Sequence, residues 1–169
     1  PLLVSAGVVS ATITDVDGAY VHRHWLRSRP TDYDSVTRRR LLTGSLIPGQ
    51  FHQKAMRYRL LVRQQIMAAL EEVDILLSPA QPTPAPLIET TSGLDSKEAV
   101  LRKFAGPRGA TAPFNLAAVP AISVPCGFTA NGLPIGLQLA ARPFDEHGLF
   151  QAGHAYQQWT SWHRRYPSL

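Results

Sequence analysis

Apolar residues recur at three- and four-residue steps after Pro48 and Gly49, and this is the most regular pattern in the chain. Such spacing places apolar side chains on one face of a helix. The pattern therefore predicts a long helix with one buried face and with arginines on much of the remaining surface. The residues expected on the buried face are Phe51, Ala55, Tyr58, Val62, Ile66, Ala69 and Val73.

The period changes at residues 74–79, a short apolar run that ends with proline. A run of this length is typical of a buried strand in a parallel or mixed sheet. Farther on, two alternating runs, residues 121–128 and 134–140, flank the dipeptide Asn131-Gly132, which is the strongest short-range signal for a β-hairpin. A helix followed by these strands predicts an α/β fold, with a mixed sheet flanked by helices.

The amino-terminal third has a weaker pattern. Residues 2–13 are rich in β-branched and small side chains and predict one or two short buried strands. A helix is expected over residues 15–27, and a second helix is expected to be capped at Thr31-Asp32 and closed by Gly44.

Two further helices are predicted in the second half of the chain. One short helix is expected over residues 97–104, within a proline-rich, extended loop at residues 79–110. A functional role and a purely structural role for this loop are equally open. The last helix is expected to begin at Asp145, a residue type favoured at the N-cap. Its inward side chains would be Leu149, Phe150, Ala152, Ala155, Tyr156 and Trp159.

Composition limits the class of protein. The chain has 169 residues, of which 44% are hydrophobic, so it has room for one domain or a piece of one, at roughly 100–200 residues per domain. No apolar run reaches the roughly 18 residues that a membrane-spanning helix needs. Because the first residue is Pro1, with no Met and no signal-like segment, we expect a piece of a longer protein. The single cysteine, Cys126, favours a reducing, cytoplasmic location.

The formal net charge of +5 is carried by the first 70 residues, which hold ten Lys and Arg against four Asp. Such an excess can mark a nucleic-acid surface. The Arg38–Arg40 run, however, lacks interleaved aromatic residues for stacking on bases. We therefore do not expect a nucleic-acid partner, although a non-catalytic basic binding domain stays among the alternatives.

Local motifs do not assemble an active site. The chain contains no phosphate-binding glycine loop, no GxSxG segment and no HExxH. His22 and His24 would diverge on a helix, so no metal site is expected. Cys126 lies in an apolar alternation and is interpreted as a structural thiol rather than a nucleophile.

Taken together, several segments resemble the carboxy-terminal portion of the amidase signature family. The resemblance covers most of residues 20–160, and residues 111–139 are its most specific part. Phe51 stands where the family commonly has tyrosine, and Ala118 where it often has glycine. The matching segments are residues 51–55 with the following helix, 74–79, 82–86, 111–116, 119–128 and 132–138.

The resemblance implies an amide hydrolase with a serine nucleophile, a second serine and a lysine as base. A neutral lysine in a desolvated site can activate serine without histidine. The family's nucleophile lies in a segment with paired glycines, and no Gly-Gly pair occurs here; Lys54, Lys97 and Lys103 match no catalytic lysine position. We therefore expect no catalytic residue in this chain. Residues 1–169 would be the C-terminal part of a single amidase-signature domain, with the catalytic part upstream.

By the same resemblance, Asn115, Phe144 and Asp145 are expected to approach the substrate. Asp145 would pair with an amino group in glutamine-like substrates, although helix capping alone also explains its position. The expected partners are the rest of the same protein and a small-molecule amide, without a cofactor or a membrane, and a homodimer is left open. The alternative function is the A subunit of a tRNA-dependent glutamine amidotransferase.

Overall fold

Helices pack on both faces of a small sheet in the computed structural model, which describes residues 2–87, 96, 98 and 110–166. This arrangement confirms the predicted α/β class. The predicted helix at residues 97–104 lies almost wholly outside the described residues. The helices are α1 (Ala6–Ser28), α2 (Ser35–Leu46), α3 (Gly49–Glu72), α4 (Ala112–Ala117) and α5 (Glu146–Trp159), the strands are β1 (Leu76–Pro79), β2 (Ala121–Phe128) and β3 (Pro134–Ala140), and single 3-10 turns occur at Leu2–Ser5, Pro30–Asp32 and Trp162–Arg164.

The strands predicted within residues 2–13 are wrong, because this segment forms a 3-10 turn and the first turns of α1. Ala6 is fully buried, and Val9 and Ile13 pack against the same core cluster. These positions are three and four residues apart, which is the helical spacing. Burial on that face outweighs the strand preference of the β-branched residues.

The limits of α2 also differ from the prediction. Thr31 and Asp32 belong to the preceding 3-10 turn, and the N-cap is Asp34, whose Oδ1 accepts hydrogen bonds from the backbone N of Val36 at 2.9 Å and Thr37 at 3.1 Å. Gly44 does not end the helix, which continues to Leu46. Gly44 instead lies buried against the backbone of α1.

The long helix α3 is confirmed, starting directly after Pro48. Its buried residues are Ala55, Val62, Ile66 and Leu70. Val62 and Leu70 are fully buried, and burial of one such side chain contributes about 1.5–3 kcal/mol. The predicted buried face was too long, because Phe51 and Val73 at the two ends are exposed.

The sheet has the order β1–β3–β2, and both described strand pairs are antiparallel. The strand predicted at residues 74–79 is confirmed as β1, but it lies at an edge of the described sheet and Leu77 is exposed, so it is not fully buried. The hairpin around Asn131-Gly132 is confirmed, and Gly132 has the left-handed φ of 77° that such a turn favours.

An irregularity interrupts the hairpin between Pro125 and Gly127. Pro125 pairs with Gly136 and Gly127 with Ile135, so Cys126 has no partner residue in β3. The thiol of Cys126 is partly buried, and its Sγ lies 3.5 Å from the backbone O of Ile135. This β-bulge removes Cys126 from the regular apolar alternation that the sequence predicted.

Two cores lie on opposite faces of the sheet, because successive side chains of a strand alternate. Ala140 packs with Val62, Leu70 and other residues of the helical cluster formed by α1, α3 and α4. Leu139 packs with Leu149 of α5. The buried Gln138 donates from Nε2 to Ser78 Oγ at 3.0 Å, which ties β3 to β1.

Helix α5 buries less of its predicted face than expected. Leu149 is fully buried, and Ala152 and Tyr156 pack against the same core. Phe150, Ala155 and Trp159 were predicted to point inward and are exposed. Among the described helices, none is long and apolar enough to cross a membrane.

Candidate functional site

The three residues expected near a substrate lie in two separate parts of the chain. Asn115 is exposed on α4, and its backbone O accepts a hydrogen bond from Ala118 N at 3.2 Å. Phe144 and Asp145 form the connection between β3 and α5. The prediction that these three side chains contact a substrate stays a prediction.

The connection between β3 and α5 holds Phe144 in an unusual conformation. Its φ is 68°, in the left-handed region that non-glycine residues adopt only at a cost, and its side chain is 95% exposed. Arg142 anchors the start of the connection, donating to Asp74 Oδ1 at 3.1 Å and to Val73 O at 3.2 Å. The turn therefore presents a phenyl ring at the surface.

Asp145 forms the N-cap of α5, as predicted. Its Oδ1 accepts a hydrogen bond from Gly148 N at 3.0 Å, and a Cβ at Gly148 would lie 2.7 Å from either carboxylate oxygen. The carboxylate therefore lies directly over the first turn of the helix. This contact accounts for the acidic residue on structural grounds alone.

Helix α4 ends against arginines of α3. Ala118 follows the helix in the left-handed conformation, with φ 52°, which explains why a glycine is favoured at this position. Arg59 Nε donates to Leu116 O at 3.0 Å, and Arg63 donates to Ala117 O. The guanidinium groups thus satisfy carbonyls that have no partner within the helix.

These elements border an open pocket of about 640 Å³, which we call the arginine-lined pocket. Helix α3 forms one wall, and Phe144 lies on the opposite side, so one of the three predicted site residues lines the pocket and Asn115 and Asp145 do not. The residues of α3 that line it are Gln53, Met56, Arg57, Arg59, Leu60 and Arg63, and those facing them are Ala118, Pro143 and Phe144.

The sequence did not single out these arginines as site residues. Arg59 and Arg63 are one helical turn apart and flank Val62, which is fully buried. Their positions at the border of the buried face of α3 could have indicated this role. The aliphatic part of an arginine at such a position can pack on apolar surface while its guanidinium reaches a buried carbonyl. The partner carbonyls, more than 50 residues away, are visible only in the fold.

A second cavity, of about 560 Å³, lies between residues 80–86 and the hairpin. Thr129, Pro134, Ile135 and Gly136 form its other wall, and none of the described residues lining it is charged. Residues 80–86 contain no helix or strand, as the proline content predicted. A functional role for this loop stays a prediction.

The Ser78 hydroxyl and the Cys126 thiol, both in the sheet, have structural contacts. Ser78 accepts from Gln138, and Cys126 contacts a backbone carbonyl of β3. Lys54 is exposed on α3. Within the part of the chain that the structure describes, no group of three histidine, cysteine, aspartate or glutamate residues is placed to hold a metal ion.

The known proteins that are similar to this chain indicate one family. A family model described as Amidase matches residues 4–150. The AmiD protein of Mycobacterium tuberculosis, which is named as an amidase, is 36% identical over 154 residues, covering 91% of this chain and 32% of that protein. The glutamyl-tRNA(Gln) amidotransferase A subunit of Thermodesulfovibrio yellowstonii is 36% identical over 159 residues, covering 91% of this chain and 32% of that protein.

A solved structure supports the fold. The protein of a vestigial complex related to an s-triazine catabolic enzyme superposes with a TM-score of 0.73 at 28% identity, covering 90% of this chain and 34% of that one. The chain therefore spans about a third of the length of the relatives it matches.

Proposed function

The chain belongs to the amidase family, and from this membership we propose that the protein hydrolyses the C–N bond of small carboxamides. The family match over residues 4–150 is the observation that carries the proposal. A purified preparation of the intact protein, incubated with a panel of aliphatic and aromatic carboxamides, should release ammonia and the matching acid. Absence of release from every amide in the panel would contradict it.

We propose that the nucleophilic serine, the second serine and the lysine of the reaction lie outside these 169 residues. The sequence contains no Gly-Gly pair of the kind that surrounds the family's nucleophile. Its three lysines match no catalytic position in the resemblance. On this proposal, α3, α4 and the sheet form supporting walls of the active enzyme, and the bond-breaking groups are supplied by the rest of the amidase domain.

Asn115, Phe144 and Asp145 are the residues that we propose to face the substrate. Phe144 already lines the arginine-lined pocket, and one Asp145 oxygen is used by Gly148 N, so the other is available to an amino group. Asp145→Asn would keep an N-cap and remove the charge. We expect a raised KM for amides that carry an amino group and an unchanged KM for amides without one. Equal effects on both classes would contradict the assignment.

The A subunit of a tRNA-dependent glutamine amidotransferase is the second candidate function, because a protein of that name is as similar to this chain as the amidase is. The two functions differ in their requirement for glutamine and for a partner. A protein with this second function would copurify with another polypeptide and would convert glutamyl-tRNA with glutamine as the ammonia donor. Turnover of simple carboxamides by the protein alone favours the amidase.

We also propose a cytoplasmic location, from the single free cysteine, and no nucleic-acid partner. Several of the arginines make contacts within the chain. Arg40 pairs with Asp15, Arg38 donates to Pro30 O, and Arg59 donates to α4. These contacts support a structural role for the basic residues over a basic binding domain. A homodimer stays a prediction.

A further inference from the structure

We propose that the arginine-lined pocket binds the carboxylate of a small organic acid, with the apolar part of that acid against Leu60 and Phe144. The proposal requires only the geometry of the pocket and goes beyond amide hydrolysis. The pocket shares Phe144 with the residues proposed to face the amide substrate. The carboxylate site is tested by binding alone, so it holds or fails whether or not the protein hydrolyses amides.

The charge of the pocket favours an anion. Three guanidinium groups line it, and no carboxylate is among the described lining residues. Arg59 and Arg63 each donate to a carbonyl of α4. Because a guanidinium has five N–H donors, these bonds use only part of the donors of each arginine. The carboxy-terminal end of α4 carries roughly half a negative charge, which offsets only part of the positive charge of the arginines. Donors and positive charge therefore remain for a ligand.

Arg57 is the guanidinium best placed to meet that ligand. It is exposed, and it makes no hydrogen bond or ion pair with any residue that the structure describes. Asp145 adjoins Phe144 in sequence, but its Oδ1 is held by Gly148 N at the start of α5 and the residue does not line the pocket. Arg57 is thus left without an acidic partner from the pocket wall.

The other half of the pocket favours an apolar body next to the carboxylate. Phe144 is 95% exposed on a backbone with a positive φ, and Leu60 is 60% exposed. An exposed phenyl ring on strained backbone is costly for the protein alone, and a ligand that covers the ring recovers apolar burial. The volume of about 640 Å³ lies in the range of small-molecule sites.

Carboxylate fits these groups better than a compact inorganic anion does. The planar guanidinium binds carboxylate through two parallel hydrogen bonds, which fixes the direction of the attached body. That direction allows the body to reach Leu60 and Phe144. Inorganic phosphate could use the charge but not the apolar wall.

Calorimetric titration of the intact protein with benzoate tests the proposal without any turnover. We expect saturable binding of benzoate, weaker binding of acetophenone, a neutral analogue with no amide bond to hydrolyse, and weaker binding of inorganic phosphate, which lacks the ring. Arg57→Gln should raise the Kd for benzoate about tenfold, the loss expected for a charge-assisted hydrogen bond. Phe144→Ala should raise the Kd for benzoate but not that for phosphate.

Arg27→Gln is the matched control, because Arg27 is an exposed arginine on α1 and the change in net charge is the same. Arg57→Lys keeps the charge and removes the planar fork, so its Kd should lie between those of the parent and of Arg57→Gln. The proposal is overturned if benzoate does not saturate, if acetophenone or phosphate binds as tightly as benzoate, or if Arg27→Gln weakens binding as much as Arg57→Gln.

Discussion

Gly44 shows how one residue without a side chain allows two helices to approach. A Cβ at this position would lie 1.9 Å from the backbone O of Asp15 in α1, and the carbonyl carbon would be 2.4 Å away. Backbone atoms cannot move aside as the end of a flexible side chain can. The contact between α1 and α2 therefore depends on glycine at this point, and a glycine inside a helix need not mark its end.

We predict that Gly44→Ala lowers the free energy of unfolding by about 2 kcal/mol or more, the upper part of the range for overpacking. Gly49→Ala is the matched control, because nothing lies within 4 Å of a Cβ there and the position is the first residue of α3. Its effect should stay within about 0.5 kcal/mol. Urea unfolding at neutral pH measures both, and equal stability of the two variants would contradict the close approach.

Asp34 makes the stability of α2 depend on pH. The pKa of its carboxyl is lowered from 3.8 by hydrogen bonds, first from the side chain of Thr37 and then from backbone N–H groups. A carboxyl with a lowered folded-state pKa stabilises the protein above its unfolded-state pKa, about 3.9. That contribution is lost as the pH falls through the lower, folded-state pKa.

Asp34→Ala should therefore lower the urea midpoint at pH 7, and the difference from the parent should disappear in strong acid. Asp32→Ala is the control, because the Asp32 carboxylate forms an exposed ion pair with Arg29 at 3.4 Å, and such pairs contribute little to stability. A midpoint difference for Asp34→Ala that stayed constant down to low pH would show that the carboxylate charge does not stabilise α2.

An ion pair between Arg40 and Asp15 joins α2 to α1. Arg40 donates through Nε and Nη2 to Asp15 Oδ1, at 2.9 and 2.5 Å, and the Asp15 side chain is only 13% exposed. A largely buried carboxylate that loses its partner keeps its desolvation cost. Arg40→Met should thus lower the free energy of unfolding by about 1–3 kcal/mol.

Arg29→Met provides the comparison, because both members of that ion pair are more than half exposed. Its removal should cost well under about 1 kcal/mol. Chemical unfolding of the two variants at low and high salt gives the measurement. If high salt removed the effect of Arg40→Met as fully as that of Arg29→Met, Asp15 would be behaving as a solvent-exposed carboxylate.

The elements differ in how far the sequence predicts them. The hairpin was predictable because Asn131-Gly132 fixes a turn locally. Residues 2–13 were not, because Val8, Val9 and Ile13 favour strands when taken alone, whereas the burial of Ala6, Val9 and Ile13 that selects a helix depends on distant α3 and α4. The β-bulge at Cys126 could not be predicted either, because it depends on how β2 pairs with β3.

Across the whole chain, the residues of the candidate site could be predicted only in part. Phe144 was identified from its resemblance to a family segment and lines the arginine-lined pocket, while its contact with a substrate stays a prediction. Arg59 and Arg63 were missed because their role depends on carbonyls of α4, which follow them by more than 50 residues. A pocket built from three separate elements leaves no local pattern in the sequence.

The proposed amide hydrolysis would depend on groups outside these 169 residues of the intact protein. If the catalytic lysine lies outside these 169 residues, replacing Lys54, Lys97 and Lys103 together with arginine should leave kcat/KM for a carboxamide within about threefold. Arginine keeps the positive charge but cannot become neutral, so it cannot replace a lysine that acts as a base. Loss of a base in a catalytic triad lowers kcat by about 10⁴-fold or more.

Steady-state kinetics of the triple variant therefore distinguish a lysine base outside these residues from one within them, because the expected kcat/KM values differ by several orders of magnitude. Ser123→Ala serves as the companion variant for the nucleophile, because Ser123 is an exposed serine on β2. Its kcat/KM should also stay within about threefold. If Ser123 were the nucleophile, its removal would lower kcat as severely as removal of the base. A thousandfold loss in either variant, with unfolding by urea unchanged, would place a catalytic group within this chain and refute the proposed division of the active site.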